Sequence, residues 1–91
     1  MRAVERSVTV VNKLGLHARP AAEFVKVAGK FAAEIHVSKD NMEVNGKSIL
    51  GVMTLAAECG STLLLRAIGE DAEEAVEALS AIVGKDFADE I

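Results

Sequence analysis

Tryptophan and tyrosine are absent from this chain, and phenylalanine occurs only as Phe24, Phe31 and Phe87. A sequence so poor in rings offers no row of aromatic platforms on which bases could stack. Cysteine occurs once, as Cys59, so neither an intramolecular disulfide nor a CxxC metal module can form. A lone thiol suits a reducing compartment, and a cytoplasmic location is expected. No apolar run approaches the roughly 18 residues that cross a bilayer. Arg2, Glu5 and Arg6 stand where a secretory leader would need hydrophobic residues, so neither membrane insertion nor secretion is expected.

Basic residues are outnumbered, 10 against 14 acidic, and the net charge of −4 has the wrong sign for holding a phosphate backbone. Nucleic acid is therefore a poor candidate partner. The charge is unevenly spread: residues 1–48 carry eight Lys/Arg and five Asp/Glu, and residues 49–91 carry two and nine. The positive first half suits acidic partners, since complementary potential speeds association. With 91 residues, 51% of them hydrophobic and 26% charged, the chain has the material for one folded domain spanning residues 1–91.

Residues Val4 to Val11 are rich in β-branched side chains at alternating positions and predict a first strand. Ala21, Phe24, Val25 and Ala28 then fall on one helical stripe, closed by Gly29-Lys30, which predicts a helix over about 18–28. Ala33, Ile35 and Val37 alternate with polar residues, Asp40-Asn41 interrupts, and Met42 and Val44 resume, as in a two-strand hairpin. Ser48 is a favoured N-cap ahead of a short helix bearing Ile49, Val52, Met53 and Ala56, with Gly51 a weak point inside it. Thr62 to Ile68 reads as a buried strand. After Gly69, acidic residues open a last helix carrying Ala72, Ala75, Val76 and Leu79 on one face. The order βαββαβα predicts an α+β sandwich with the helices on one face of a sheet that is at least partly antiparallel.

The segment with chemical content is Gly15-Leu16-His17-Ala18-Arg19-Pro20-Ala21-Ala22. Proline lacks an amide hydrogen and is tolerated only in the first turn of a helix, so Pro20 fixes where the helix begins and places His17 at or beside its N-cap. Unpaired amides and the positive end of the dipole favour a neutral, nucleophilic imidazole there and welcome an anion. A phosphoryl group on that ring would sit beside those amides, and Arg19 could add a bidentate contact. Taken singly, His17 could simply cap the helix and Arg19 could be a solvated cation.

Other candidates are weaker. Gly46-Lys47-Ser48 copies the tail of a nucleotide-binding loop, but position 41, which should be glycine, is Asn41. His36 falls on the outer face of its strand, and His17, His36 and Cys59 lack metal-ligand spacing. Cys59 has no neighbouring cation or helix start to activate it, and the acidic opening of the last helix complements the dipole.

As a unit, the His17 segment and the element order resemble HPr, the histidine-containing phosphocarrier family of the bacterial sugar phosphotransferase system. The resemblance covers essentially the whole chain. It implies an open-faced sandwich, a four-stranded antiparallel sheet covered on one face by three helices. It also implies that His17 accepts the phosphoryl group as a pros-phosphohistidine and that Arg19 contacts it. A second stretch, Lys47-Ser48-Ile49-Leu50-Gly51-Val52-Met53-Thr54-Leu55, resembles the family's regulatory segment, with Ser48 at the position a dedicated kinase phosphorylates. Leu16, Pro20, Leu50 and Met53 fall where the family docks its partners. Those would be enzyme I as donor and enzyme IIA domains as acceptors, with a kinase/phosphorylase and a transcriptional regulator as further partners. The resemblance implies a monomeric carrier needing no metal or organic cofactor. A mainly regulatory homologue, on a nitrogen-type branch or as a catabolite corepressor, is the alternative.

Overall fold

Alternation builds the sheet, and the helical stripes cover one side of it. The computed structural model describes residues 2–85; Met1 and residues 86–91, Phe87 among them, lie outside the described residues. Strand β1 spans Ala3–Thr9, helix α1 Ala18–Ala28, β2 Glu34–Lys39, β3 Met42–Asn45, α2 Ile49–Thr54, β4 Thr62–Ile68 and α3 Ala72–Val83. The four strands form one antiparallel sheet in the order β1-β4-β2-β3. This is the open-faced α+β sandwich expected from the sequence.

Leu63, Leu65 and Ala67 of β4 and Ile35 and Val37 of β2 turn inward, and all are at least 98% buried. Their strand neighbours turn to the opposite face, because successive side chains on a strand point to opposite sides. On that open face Glu5, Arg66, His36 and Asn45 lie in register across all four strands. His36 Nε2 stands 3.3 Å from Glu34 and Arg66 Nε 3.8 Å from Glu5, contacts that at such exposure contribute ~1 kcal/mol at most. His36 is thus on the outer face, as its alternation predicts.

The inward face is covered by Pro20, Ala21, Phe24 and Ala28 of α1, Val52 of α2, and Ala72, Ala75, Val76, Leu79 and Val83 of α3. Phe24 is fully buried, and its burial is worth roughly 3 kcal/mol. Gly51 looks like a flaw in α2 until its surroundings are seen. A Cβ there would lie 3.3 Å from both the Asn45 carbonyl oxygen and Val44 Cβ, so the missing side chain lets α2 settle against β3.

Two details depart from expectation. Strand β1 stops at Thr9, paired with Thr62; beyond it Val10 still bonds with Gly60 and Ser61, while Val11 turns out to solvent. Asp71, expected to serve its own helix, makes no side-chain cap bond there. Its carboxylate instead accepts the amides of Ala32 and Ala33 at 2.8 and 2.9 Å, pinning the α1–β2 connection to the start of α3.

Candidate functional site

His17 is the N-cap of α1, with extended backbone and a ring that makes no capping hydrogen bond. Ala18, Arg19 and Pro20 form the first turn. The first amides of a helix have no intrahelical acceptor, and proline at the third position brings none at all, so the amides of this end belong to Ala18 and Arg19. His17 is half-buried and Arg19 exposed, which puts the ring and the guanidinium at the accessible start of the helix.

The loop leading to His17 is held from two directions. The amide of Leu16 donates to the Ala57 carbonyl at 2.8 Å, and the amide of Gly15 donates to the Asn12 carbonyl at 2.8 Å. Gly15 has φ +72°, a conformation that favours glycine, and a Cβ at that position would collide with the Ala57 carbonyl oxygen. The exit of α2 therefore braces the histidine loop. Lys39 secures that exit in turn, its ammonium donating to the Leu55 carbonyl at 3.2 Å.

Asn12 is a residue that the sequence did not single out. It is 98% buried, its Oδ1 accepts the Leu14 amide at 3.3 Å, and its Nδ2 faces His17 Nε2 at 3.5 Å. The side chain folds onto the backbone two residues ahead, a habit of asparagine in turns. That habit is the sequence signal that could have marked it.

Around the histidine loop and α2 lie exposed apolar side chains. Leu50 is 76% exposed and Met53 42% exposed. Leu16 and Pro20 are not. Both are buried, Leu16 because its amide bond to Ala57 draws it under the loop and Pro20 because it faces inward from the first turn of α1. Exposed apolar residues that reasoning missed include Leu14, at 65%, in the histidine loop and Ile49, at 40%, on α2. Leu14 sits in a turn, where periodicity gives no guide to facing.

Ser48 is the N-cap of α2, and its hydroxyl accepts the Gly51 amide at 3.1 Å. Lys47 donates its ammonium to the Phe31 carbonyl at 2.7 Å, an anchoring contact unlike that of a phosphate-loop lysine. Cys59 is exposed, with Sγ 3.7 Å from the Val11 carbonyl oxygen. Among the described residues no group of three His, Cys, Asp or Glu could hold a metal, and no helix is long and apolar enough to cross a membrane.

Residues 4–85 match the family model described as the PTS HPr component phosphorylation site. A phosphocarrier protein HPr from Cupriavidus necator is 43% identical over 94% of this chain and 97% of its own length. The HPr-like protein Crh of Halalkalibacterium halodurans is 51% identical over 91% of this chain and 99% of its own. The crystal structure of a phosphocarrier protein HPr from Bacillus anthracis superposes with a TM-score of 0.86 at 49% identity, over 90% of this chain and 98% of that one. On this agreement of sequence and fold, the chain belongs to the HPr family of phosphocarrier proteins.

Proposed function

We propose that this protein carries phosphoryl groups on His17 in the cytoplasm, taking them from phosphorylated enzyme I and passing them to enzyme IIA domains of the sugar phosphotransferase system. The observation that carries the reading is the placement of His17: an N-cap whose ring does no capping, at an accessible helix start. Nδ1 is the attacking atom. The Ala18 and Arg19 amides and the Arg19 guanidinium are the groups suited to receive the oxyanions of the adduct. Leu50 and Met53, with Leu14 and Ile49, supply the apolar part of a small surface on which donor and acceptor dock by turns, as transient encounters require. The carrier acts as a monomer.

The test is incubation with phosphoenolpyruvate and enzyme I, followed by mass analysis for an acid-labile, base-stable adduct. His17→Ala should abolish the adduct, and Arg19→Ala should slow its formation without unfolding the chain. An adduct that persists in His17→Ala would sink the assignment.

A second reading has its own support, the 51% identity with a protein named Crh. In it, phosphorylation of Ser48 by a kinase/phosphorylase switches docking to a transcriptional regulator. Both roles fit one chain, because Ser48 and His17 stand on separate helices. The presence of His17 favours carriage as the principal activity.

A further inference from the structure

Among the described residues Asn12 is the only polar one that is buried, and it belongs neither to α1 nor to the group of amides and guanidinium at its start. Its amide is oriented by its surroundings: the Leu14 N–H needs an acceptor and finds Oδ1, so Nδ2, a donor, is the atom left facing His17 Nε2. We propose that Asn12 is a positioning residue of the phosphoryl site, its amide N–H matched to Nε2 of the phosphorylated ring and thereby reserving Nδ1 for the phosphoryl group. This deepens the carrier reading and rests on it only for the identity of the donor.

Attack by Nδ1 requires the lone pair there and the ring proton on Nε2. In that form N–H faces N–H across the 3.5 Å gap, a contact too long and wrongly matched to be strong. The Nδ1 lone pair forms the bond to phosphorus. The bond from phosphorus to the donor's leaving nitrogen breaks and takes its electron pair with it. The Nε2 proton passes to water. Nε2 is then left with a lone pair aimed at the Asn12 N–H, and the mismatch becomes a hydrogen bond. Asn12 thus holds the adduct in the form with Nε2 unprotonated, in which the phosphorus–nitrogen bond is least labile.

The test uses the whole chain phosphorylated chemically with potassium phosphoramidate, so that no partner protein is needed. Phosphorus NMR should place the adduct on Nδ1, and nitrogen-15 labelling should reveal a scalar coupling between Asn12 Nδ2 and His17 Nε2. Asn12→Asp keeps an acceptor for the Leu14 amide but replaces the donor facing the ring, and its adduct should decay about three- to tenfold faster at neutral pH, the worth of one hydrogen bond. Asn12→Ser is the second variant, expected to decay faster by a smaller factor. A missing coupling, an adduct on Nε2, failure of the wild type to react, or an unchanged decay rate in a folded variant would each overturn the proposal. If Asn12→Asp does not fold, the wild-type coupling alone decides. A wild-type chain that reacts with phosphoramidate and shows the coupling, yet takes nothing from enzyme I, would sink the carrier reading and leave the role of Asn12 standing.

Discussion

Leu16 and Ala57, 41 positions apart in the chain, are joined by an amide-to-carbonyl hydrogen bond of 2.8 Å, and through it the histidine loop rides on the end of α2. Whatever disturbs that bond displaces His17.

Gly15 is the most sensitive point of this junction. Gly15→Ala would carry left-handed strain of about 1–2 kcal/mol, and its methyl group would press on the oxygen that Leu16 needs. Adding roughly 1 kcal/mol for the disturbed hydrogen bond gives a loss of about 2–3 kcal/mol, a fall in melting temperature on the order of 10 °C or more. Thermal unfolding checks this, and a variant that melts with the wild type would refute it. Phosphoryl acceptance at His17 should drop even well below the melting point.

Ser48 separates two effects that one substitution usually mixes. Ser48→Ala removes the acceptor for the Gly51 amide and should cost about 1 kcal/mol. Ser48→Asp preserves a cap and so should melt near the wild type, while slowing acceptance from enzyme I by about tenfold through like-charge repulsion, an effect that salt weakens. Rates for Ser48→Asp that match wild type at low salt would contradict the account.

Leu50 touches little in the isolated chain, so Leu50→Ser should shift stability by no more than about 0.5 kcal/mol. If the side chain is covered during docking, the same change should weaken the encounter by ~1–2 kcal/mol, roughly tenfold in apparent affinity for enzyme I. Titration calorimetry or steady-state kinetics with enzyme I would reveal it. Unaltered affinity would remove Leu50 from the docking surface.

Asp71 predicts an acid dependence. The Ala32 amide above all, helped by the amides of Ala33 and Asp71 itself and by the charge of Lys47, holds its carboxyl below the ordinary aspartate value, against an opposing contribution from desolvation. A carboxyl lowered in the folded state stabilises the fold fully above the unfolded value, and that contribution fades as pH falls toward the lowered one. Asp71→Asn offers one acceptor oxygen for two amides. The variant should therefore melt below wild type near pH 7, and the gap should narrow as pH drops through about 4. A gap constant from neutral pH to pH 3 would rule this out.

Periodicity made most of the fold legible. The limits of α1 follow from where its stripe begins and ends, those of β4 from an apolar run closed off by Gly60 and Gly69, and Ser48 from the chemistry of capping. His17, Arg19 and Pro20 could be read because proline confines the start of a helix. The structure had to supply what depends on distant partners. Leu16 and Leu14 are the same residue type two positions apart in one loop, yet one is 5% exposed and the other 65%, a difference decided by Ala57. Asp71 abandons its own helix for two amides nearly 40 positions earlier, and local pattern carries no record of that; the turn habit of Asn12 could mark the residue but not that its Nδ2 faces His17.

The placement of β4 between β1 and β2 governs how the molecule comes into being. The first strand and the hairpin share no edge, so a chain emerging from the ribosome cannot zip its sheet until the residues through Ile68 have been made. Assembly must then close long loops at once, which sets a slower pace than a helical bundle of equal size would keep. The phosphoryl site, whose loop leans on the stretch just ahead of β4, comes together as part of that same late event.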